Sequence, residues 1–255
     1  MNAPFSFEVC IDSVESALSA EAGGAHRVEL CDNLYEGGTT PSFGMIRQVK
    51  KHCSLPVMAM IRPRGGDFLY SDYEFEVMRE NVVQAKEAGA DGLVMGLLNP
   101  DGSIDKVRSA ELRKLSGDSP VTFHRAFDMV EDWEEALEAI IGAGFDMILT
   151  SGLEANVMKG KERIKKIVEK AGNRIKIMAG AGVRAASVGE LISHTGVQHI
   201  HASASHSLTS HMQYRNPRLS MGAEGYDEYS RKSVSQEKVV QILQAANKAW
   251  KSGNF

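Results

Sequence analysis

Eight short apolar segments alternate with amphipathic segments along the chain, and this rhythm limits the possible folds more than any other feature. The apolar segments are rich in Val, Ile and Met, as expected of β-strands that are covered on both faces. Between them, apolar residues recur at the three- and four-residue spacing of amphipathic helices, as in Leu137, Ile140 and Ile141. The strand-like segments are, in chain order, FEVCI, RVEL, VMAMI, GLVMG, VTFH, MILT, IKIMA and HIHA.

Eight βα units in 255 residues predict an α/β fold, a single-domain (β/α)8 TIM barrel that spans residues 5–250. The competing fold is a doubly wound open sheet, which would usually carry a Gly-x-Gly-x-x-Gly turn after its first strand. The sequence FEVCIDSVES carries no such turn, so we favour the barrel. Residues 206–233 are polar and lack clear periodicity, and they are predicted to form a long functional or interfacial loop after the eighth strand.

Local signals predict where individual helices begin. Ser71 with Glu74, and Ser187 with Glu190, have the spacing of a capping box, in which each side chain bonds the backbone N–H of the other residue. Both serines precede segments with helical periodicity, so helices are expected to start at these two places.

Composition and charge narrow the classes of function. The net charge is −4 and the sequence holds no basic block, so binding to nucleic acid or to an anionic membrane has no electrostatic support. The N-terminal residues lack the features of a signal peptide, and no apolar run approaches the roughly 20 residues of a membrane-spanning helix. Three cysteines do not make a disulfide framework. We therefore expect a soluble, cytoplasmic protein with no nucleic-acid or membrane partner.

The first two predicted strands end in the same triplet, Glu-x-Cys. Glu8 and Cys10 close the first strand, and Glu29 and Cys31 close the second. Residues two apart on a strand point to the same face, so each carboxylate shares a face with its thiol. A buried strand does not need these groups for packing. If the two strands are neighbours, four potential metal ligands or catalytic groups converge at one place.

The two thiols allow two interpretations. Free cysteine is often buried and simply packs, and two cysteines without a Cys-x-x-Cys motif are a weak metal signal. Adjacent strands lie roughly 4.8 Å apart, a gap that two metal–thiolate bonds of roughly 2.3 Å could span, and thiolates favour Cu(I). Barrel stagger could instead offset Cys10 from Cys31 by one layer. The spacing alone favours packing over metal binding.

Polar residues gather at the predicted carboxyl ends of nearly every strand, which is where barrels of this kind carry out chemistry. Arg62 and Arg125 follow strands three and five, and arginine forks suit carboxylate and phosphate groups, although they could equally neutralise the two glutamates. His124 ends strand five and could act as a general acid or base. With Glu8 and Glu29 it forms a candidate catalytic set.

A glycine-rich turn follows the seventh predicted strand and a serine follows the eighth. Gly180 and Gly182 lie in the turn GAGV, and Ser203 lies in HASAS. Loops at these places in barrels often bind phosphate through backbone amides, although GAGV could also be no more than a tight turn. Together with Arg62 and Arg125, these residues are the candidate anion-binding set.

Several motifs together resemble the CutC copper homeostasis family. The resemblance runs from about Phe7 to Arg231 and includes EVCIDSVESA, RVELC, EGGTTPS, IRPRGGDFLYSD, DGLVMG, PVTFHRAFDM, LTSG, MAGAGV, YRN with SMG, and EYSRK. It implies a TIM barrel that is cytoplasmic, homo-oligomeric and copper-binding. It also implies Cu(I) ligands at the first two strand ends, which the motif matches place on Cys10 and Cys31. This sequence differs in a more His-rich run at 199–211.

Three functional hypotheses remain open. The first is a cytoplasmic copper homeostasis protein that binds Cu(I) through Cys10 and Cys31. The second is a TIM-barrel enzyme that acts on a small anionic substrate, such as a phosphorylated one, with Glu and His groups for proton transfer and arginines as anion clamps. A third, weaker hypothesis is a scaffold that acts through its oligomer surface, which would leave the barrel mouth plain and unreactive.

Overall fold

The computed structural model describes residues 5–219, 221 and 227–252, and it confirms the predicted (β/α)8 barrel. Eight parallel strands close into a barrel in which each strand pairs with the next and β8 pairs with β1. The barrel strands are β1 Ser6–Ile11, β2 Arg27–Leu30, β3 Val57–Met60, β4 Gly92–Met95, β5 Val121–Phe123, β6 Met147–Thr150, β7 Lys176–Ala179 and β8 His199–Ala202. The helices are α1 Val14–Ala22, α2 Phe43–His52, α3 Asp72–Glu87, α4 Lys106–Ser116, α5 Trp133–Gly142, α6 Lys161–Ala171, α7 Ala185–Thr195 and α8 Gln236–Ser252.

Alternation along each strand divides the apolar residues into an outer and an inner layer. In β1, Phe7, Val9 and Ile11 are fully buried in the large cluster that also contains the apolar faces of the helices. Their neighbours Glu8 and Cys10 point the opposite way, into the barrel, because successive strand residues face opposite sides. The polar groups of the sequence motifs are therefore positioned inside the barrel.

Methionines fill much of the barrel interior. Met58 and Met60 pack with Cys31 in one inner cluster, and Met147 and Met178 form another with Leu149. Unbranched thioether side chains suit such an irregular space. The inner surface near the two thiols is consequently rich in sulfur.

One of the two predicted capping boxes is correct. The Ser71 side chain accepts a hydrogen bond from the Glu74 backbone and Glu74 bonds back to Ser71, so α3 begins as expected. The prediction for Ser187 is wrong, because α7 already begins at Ala185 after the extended residue Arg184. Ser187 is therefore inside the first turn, where its hydroxyl donates to the Arg184 carbonyl at 3.3 Å.

The segment expected to be a long loop, residues 206–233, begins and ends in β-strands. Strands β9, Ser205–Thr209, and β10, Ser230–Val234, form an antiparallel pair in which Ser205 lies opposite Val234. The Val234 N–H donates to the Ser16 hydroxyl at 3.3 Å, which fixes this pair against the start of α1. Within this segment, residue 220 and residues 222–226 lie outside the described part of the chain.

Among the described residues, none of the helices has both the length and the apolar character that crossing a membrane requires.

Candidate functional site

The carboxyl ends of the strands open into a cavity of about 1490 Å³. Its walls come from the ends of β1 and β2, the loops after β5, β7 and β8, and the β9–β10 pair. Three residues of the candidate sets, Glu8, Cys31 and Gly180, are buried beneath this lining. Those that line the cavity are Cys10, Glu29, Arg62, His124, Arg125, Gly182 and Ser203.

The two Glu-x-Cys triplets are staggered but still meet. In the register of β1 and β2, Cys10 lies opposite Glu29 and Glu8 lies opposite Arg27, so the triplets are offset by two residues. Nevertheless the sulfur atoms of Cys10 and Cys31 and a carboxylate oxygen of Glu29 all lie within 4.8 Å of one another. The stagger therefore does not separate the thiols.

The two thiols differ in environment. Cys10 is half-buried and faces the cavity, whereas Cys31 is buried. Hydrogen bonding to Cys10, followed by burial and the nearby carboxylates, raises the pKa of the Cys31 thiol well above its ordinary value. In the metal-free protein Cys31 is therefore a neutral thiol at neutral pH, and a metal that binds it must displace its proton.

A buried group of two carboxylates, an arginine and a histidine lies beside the thiols. The Arg27 Nε–H donates to Glu8 Oε2 at 2.5 Å, and His201 Nε2 lies 2.8 Å from Glu29 Oε2 and 4.0 Å from Glu8 Oε1. Oε1 of Glu8 and Oε1 of Glu29 are buried without a hydrogen-bond partner among the described residues. The sequence-based sets omitted Arg27 and His201, although strand alternation places both on the inner face with Glu8 and Glu29.

The charges of this group are unequal. Burial raises the pKa of Glu8 despite the neighbouring Arg27. Burial also acts to raise the pKa of Glu29, but the adjacent His201 and the Cys10 thiol outweigh it and the pKa of Glu29 is lowered. Burial acts to lower the pKa of His201, but the contacts of its ring with Glu29 and with the Cys10 thiol outweigh burial, so the pKa of His201 is raised. Glu29 and His201 therefore form an ion pair at neutral pH, and Glu8 is the carboxyl that is more easily protonated.

His124 is buried as a neutral imidazole. Burial, and next the charge of Arg62, lower its pKa to about 4. Its Nδ1 accepts a hydrogen bond from the Ala126 N–H at 3.2 Å, so the proton of the neutral ring is on Nε2. Nε2 has no partner within the described part of the chain. His124 thus places a neutral hydrogen-bond donor in the wall of the cavity.

The two candidate arginines are used differently. The guanidinium of Arg62 donates to three backbone carbonyls, those of Glu36, Gly38 and Gly66, and it lies over the ring of Phe68 at 5.1 Å. Only 4% of Arg62 is exposed, so its main role is to hold the loop after β2 in place.

Arg125 is the more available of the two arginines. It donates to Asp128 at 2.7 Å and to the Ser151 hydroxyl at 2.9 Å. Its side chain is nevertheless 43% exposed and lines the cavity. These two contacts fix the orientation of the guanidinium while part of it stays open to an anion.

The glycine-rich turn contributes space and access. A Cβ on Gly180 would lie 2.6 Å from Leu149 Cδ1 and 3.2 Å from the His201 ring, so the absence of a side chain there makes room for His201. Gly182 is exposed and leads into the first turn of α7, which also lines the cavity. Ser203 is exposed, with its hydroxyl 3.5 Å from that of Ser205.

Further cationic residues surround this part of the cavity. The catalytic and anion-binding sets predicted from the sequence do not include them. They come from the start of α7, from β10 and from α8, and only the fold brings these elements together. These residues are Arg184, Arg231, Lys232 and Lys238.

Comparison with known proteins identifies the family. A family model described as the CutC family matches residues 5–206. The chain belongs to the CutC family. It is 48% identical over 236 residues to the copper homeostasis protein cutC homolog of Mus musculus, a match that covers 92% of this chain and 87% of that protein. It is 44% identical over 242 residues to the family protein CutC of Chromobacterium violaceum, which covers 95% of this chain and 98% of that protein.

The fold also agrees with a solved CutC structure. The crystal structure of CutC from Streptococcus agalactiae superimposes with a TM-score of 0.75 at 35% identity. The match covers 78% of this chain and 98% of that chain. The barrel described above is thus the CutC fold.

Proposed function

We propose that this CutC family member binds Cu(I) at the mouth of its barrel through the thiolates of Cys10 and Cys31. The observation that carries the proposal is the placement of the two sulfur atoms within 4.8 Å of each other. Two metal–sulfur bonds of about 2.3 Å each reach about 4.6 Å end to end, taking the zinc value as a guide. Small side-chain rotations would therefore allow one ion to bridge the pair.

The surroundings of the two thiols favour a soft, monovalent ion. Cys31 packs against the thioether side chains of Met58 and Met60, and Cys10 contacts the same cluster. Thiolate and thioether ligands select Cu(I). Cys10 also faces the cavity, which provides a route by which the ion reaches the buried Cys31.

The biological setting follows from the family. Relatives of this chain carry the name copper homeostasis protein, and we propose the same role here. A Cu(I)–thiolate site requires reduced cysteines, which agrees with a cytoplasmic location. The family resemblance further implies a homo-oligomer, which sedimentation of the purified protein would test.

The proposal is tested by anaerobic Cu(I) titration against a competing chelator. The wild-type chain should bind one Cu(I), and the double variant Cys10→Ser with Cys31→Ser should lose this site. Cys53→Ser is the matched control, because Cys53 is a buried thiol of the outer core that donates to the Ala17 carbonyl at 3.8 Å. Equal Cu(I) affinity in the folded double variant and in the control would refute the proposal.

As a second candidate function, we propose an enzyme that acts on a small anionic substrate. The observation that favours it is a cavity of about 1490 Å³, far larger than a single ion needs, which is lined by Glu29 and by His124, whose buried Nε2 has no hydrogen-bond partner among the described residues. The glutamates would transfer protons and His124 would donate a hydrogen bond to an oxygen that gains negative charge. Arg125 and the Gly180, Gly182 and Ser203 loops would hold the anion, with Arg62 supporting the loop beside them.

This second candidate is tested by calorimetric titration with inorganic phosphate and a panel of phosphorylated metabolites. Binding by the wild type should weaken in Arg125→Gln. Arg79→Gln is the control, because Arg79 lies on α3, where it pairs with Glu76 of the same helix and with Glu111 of α4. No binding of any anion by the wild type, or equal binding by both variants, would remove this candidate.

A further inference from the structure

A second set of metal ligands lies one layer below the two thiols. We propose that Glu8, Glu29 and His201 form a binding centre for a divalent cation of the zinc or manganese class, distinct from the neighbouring Cu(I) site of Cys10 and Cys31. The sequence indicated Glu8 and Glu29 as potential ligands beside the thiols, but it gave no sign of His201. The proposal stands on the geometry of these three side chains and on their unpartnered atoms, and it does not require that the copper site exist.

The distances suit one ion. One carboxylate oxygen from each glutamate and one nitrogen of His201 all lie within 4.8 Å of one another. His201 Nε2 is 2.8 Å from Glu29 Oε2 and 4.0 Å from Glu8 Oε1. Ligand atoms about 2.1 Å from a common ion lie roughly 3.0–3.4 Å apart in octahedral or tetrahedral geometry. The observed separations bracket this range, so small side-chain adjustments would complete the coordination.

Unpartnered atoms point to a ligand that completes the group. Glu8 is fully buried and Glu29 is 3% exposed, yet Oε1 of each has no hydrogen-bond partner in the described residues. Buried carboxylate oxygens are normally satisfied because leaving them unpaired is costly. Arg27 binds only Oε2 of Glu8, which leaves Oε1 of that residue directed towards His201. A bound cation would satisfy the free oxygens.

The donor atoms of this centre differ in kind from those of the Cu(I) site. Two carboxylates and an imidazole suit Zn²⁺ or Mn²⁺, whereas the paired sulfurs suit Cu(I). A cation bound to Nε2 of His201 must displace the proton there, after which the two carboxylates and Arg27 carry one net negative charge, and this favours a divalent cation. Arg27 would hold Glu8 in position from outside the coordination shell, the usual arrangement for ligating carboxylates.

Mn²⁺ is the probe of choice because it binds thiolates weakly. In copper-free protein, electron paramagnetic resonance titration with Mn²⁺ should give one bound ion per chain. Glu8→Gln and His201→Gln should each weaken Mn²⁺ binding by tenfold or more. His194→Gln is the matched control, because His194 Nε2 lies 2.8 Å from Glu162 in a histidine–glutamate pair that belongs to neither group of three potential ligands found among the described residues.

Two further outcomes keep this test independent of the copper proposal. The variant Cys10→Ser with Cys31→Ser should keep its Mn²⁺ site, and Glu8→Gln should keep its Cu(I) site. Crystals soaked in Mn²⁺ should place the anomalous signal between Glu8, Glu29 and His201, a result that needs no variant to fold. Wild-type protein that binds no Mn²⁺, or a signal elsewhere, would overturn the proposal.

Discussion

Gly38 lies against the Cys31 thiol, and its replacement by alanine should disturb the metal site directly. The residue has φ +93°, and a Cβ there would lie 3.0 Å from Cys31 Sγ and 3.2 Å from Cys31 Cβ. Its carbonyl also accepts a hydrogen bond from buried Arg62 at 2.9 Å, which limits how far the backbone can move away. The new methyl group must therefore push the thiol.

The loss of stability expected for Gly38→Ala has two contributions, one from the backbone and one from packing. A left-handed backbone costs an L-residue about 1–2 kcal/mol, and an inserted methyl in a packed interior costs about 1–3 kcal/mol more. Gly38→Ala should thus lower the free energy of unfolding by about 2–5 kcal/mol. Gly196→Ala separates the backbone cost from the packing cost, because Gly196 has φ +69° but a Cβ there would have no atom of the described residues within 4 Å.

Equilibrium urea unfolding measures the loss of stability, and Cu(I) competition measures the change in Cu(I) affinity. The control should lose only about 1–2 kcal/mol and keep its Cu(I) affinity, whereas Gly38→Ala should lose more stability and bind Cu(I) more weakly. Equal losses of stability in the two variants, with unchanged Cu(I) affinity, would refute the argument that Gly38 makes room for the Cys31 thiol.

Three further predictions follow from the charges and contacts of the site. The raised pKa of Cys31 keeps its thiol protonated near neutrality, so Cu(I) must displace that proton. Cu(I) affinity should therefore rise by at least about tenfold per pH unit from about pH 6 to 8. A flat pH profile of affinity in the competition assay would contradict this. Burial lowers the pKa of His124 and of His199 to about 4, below the unfolded value, so the unfolded chain binds more protons and stability should fall as pH drops from about 6.5 towards 4. Urea unfolding of His124→Gln across this range should show a shallower fall, and an unchanged slope would count against a neutral His124. Arg62→Lys should lower the free energy of unfolding by about 2–4 kcal/mol, because lysine cannot reach all three carbonyls, while phosphate binding stays the same; a selective loss of phosphate binding would show that Arg62 clamps the anion.

The fold could be predicted because its signals are local. Each strand and helix carries its own period, and eight repeats of the pair leave few ways to bury all the apolar faces. The failure at Ser187 has the same origin. The capping-box spacing was present, but the extended residue Arg184 is the N-cap, so α7 starts three residues earlier than the box required.

The site could be predicted only in part because it depends on register. Strand ends indicated that Cys10, Glu29, Arg125 and His124 would share the mouth of the barrel, and all four line the cavity. The sequence does not state which residue of β1 lies opposite which residue of β2, so the offset of the two triplets could not be derived.

Residues that act through tertiary contacts were harder to find. His201 meets Glu29 across 172 positions of the chain, and no spacing rule connects them. Arg62 looked like an anion ligand because its type and position fit one. Its bonds to the carbonyls of the loop after β2 depend on the path of that loop, which the sequence does not specify.

X-ray absorption at the copper edge tests the central claim most directly. Protein loaded anaerobically with one equivalent of Cu(I) should show two sulfur neighbours at about 2.2–2.3 Å, and Cys10→Ser with Cys31→Ser should remove them. A wild-type spectrum with only nitrogen or oxygen neighbours would contradict Cu(I) binding by the paired thiols.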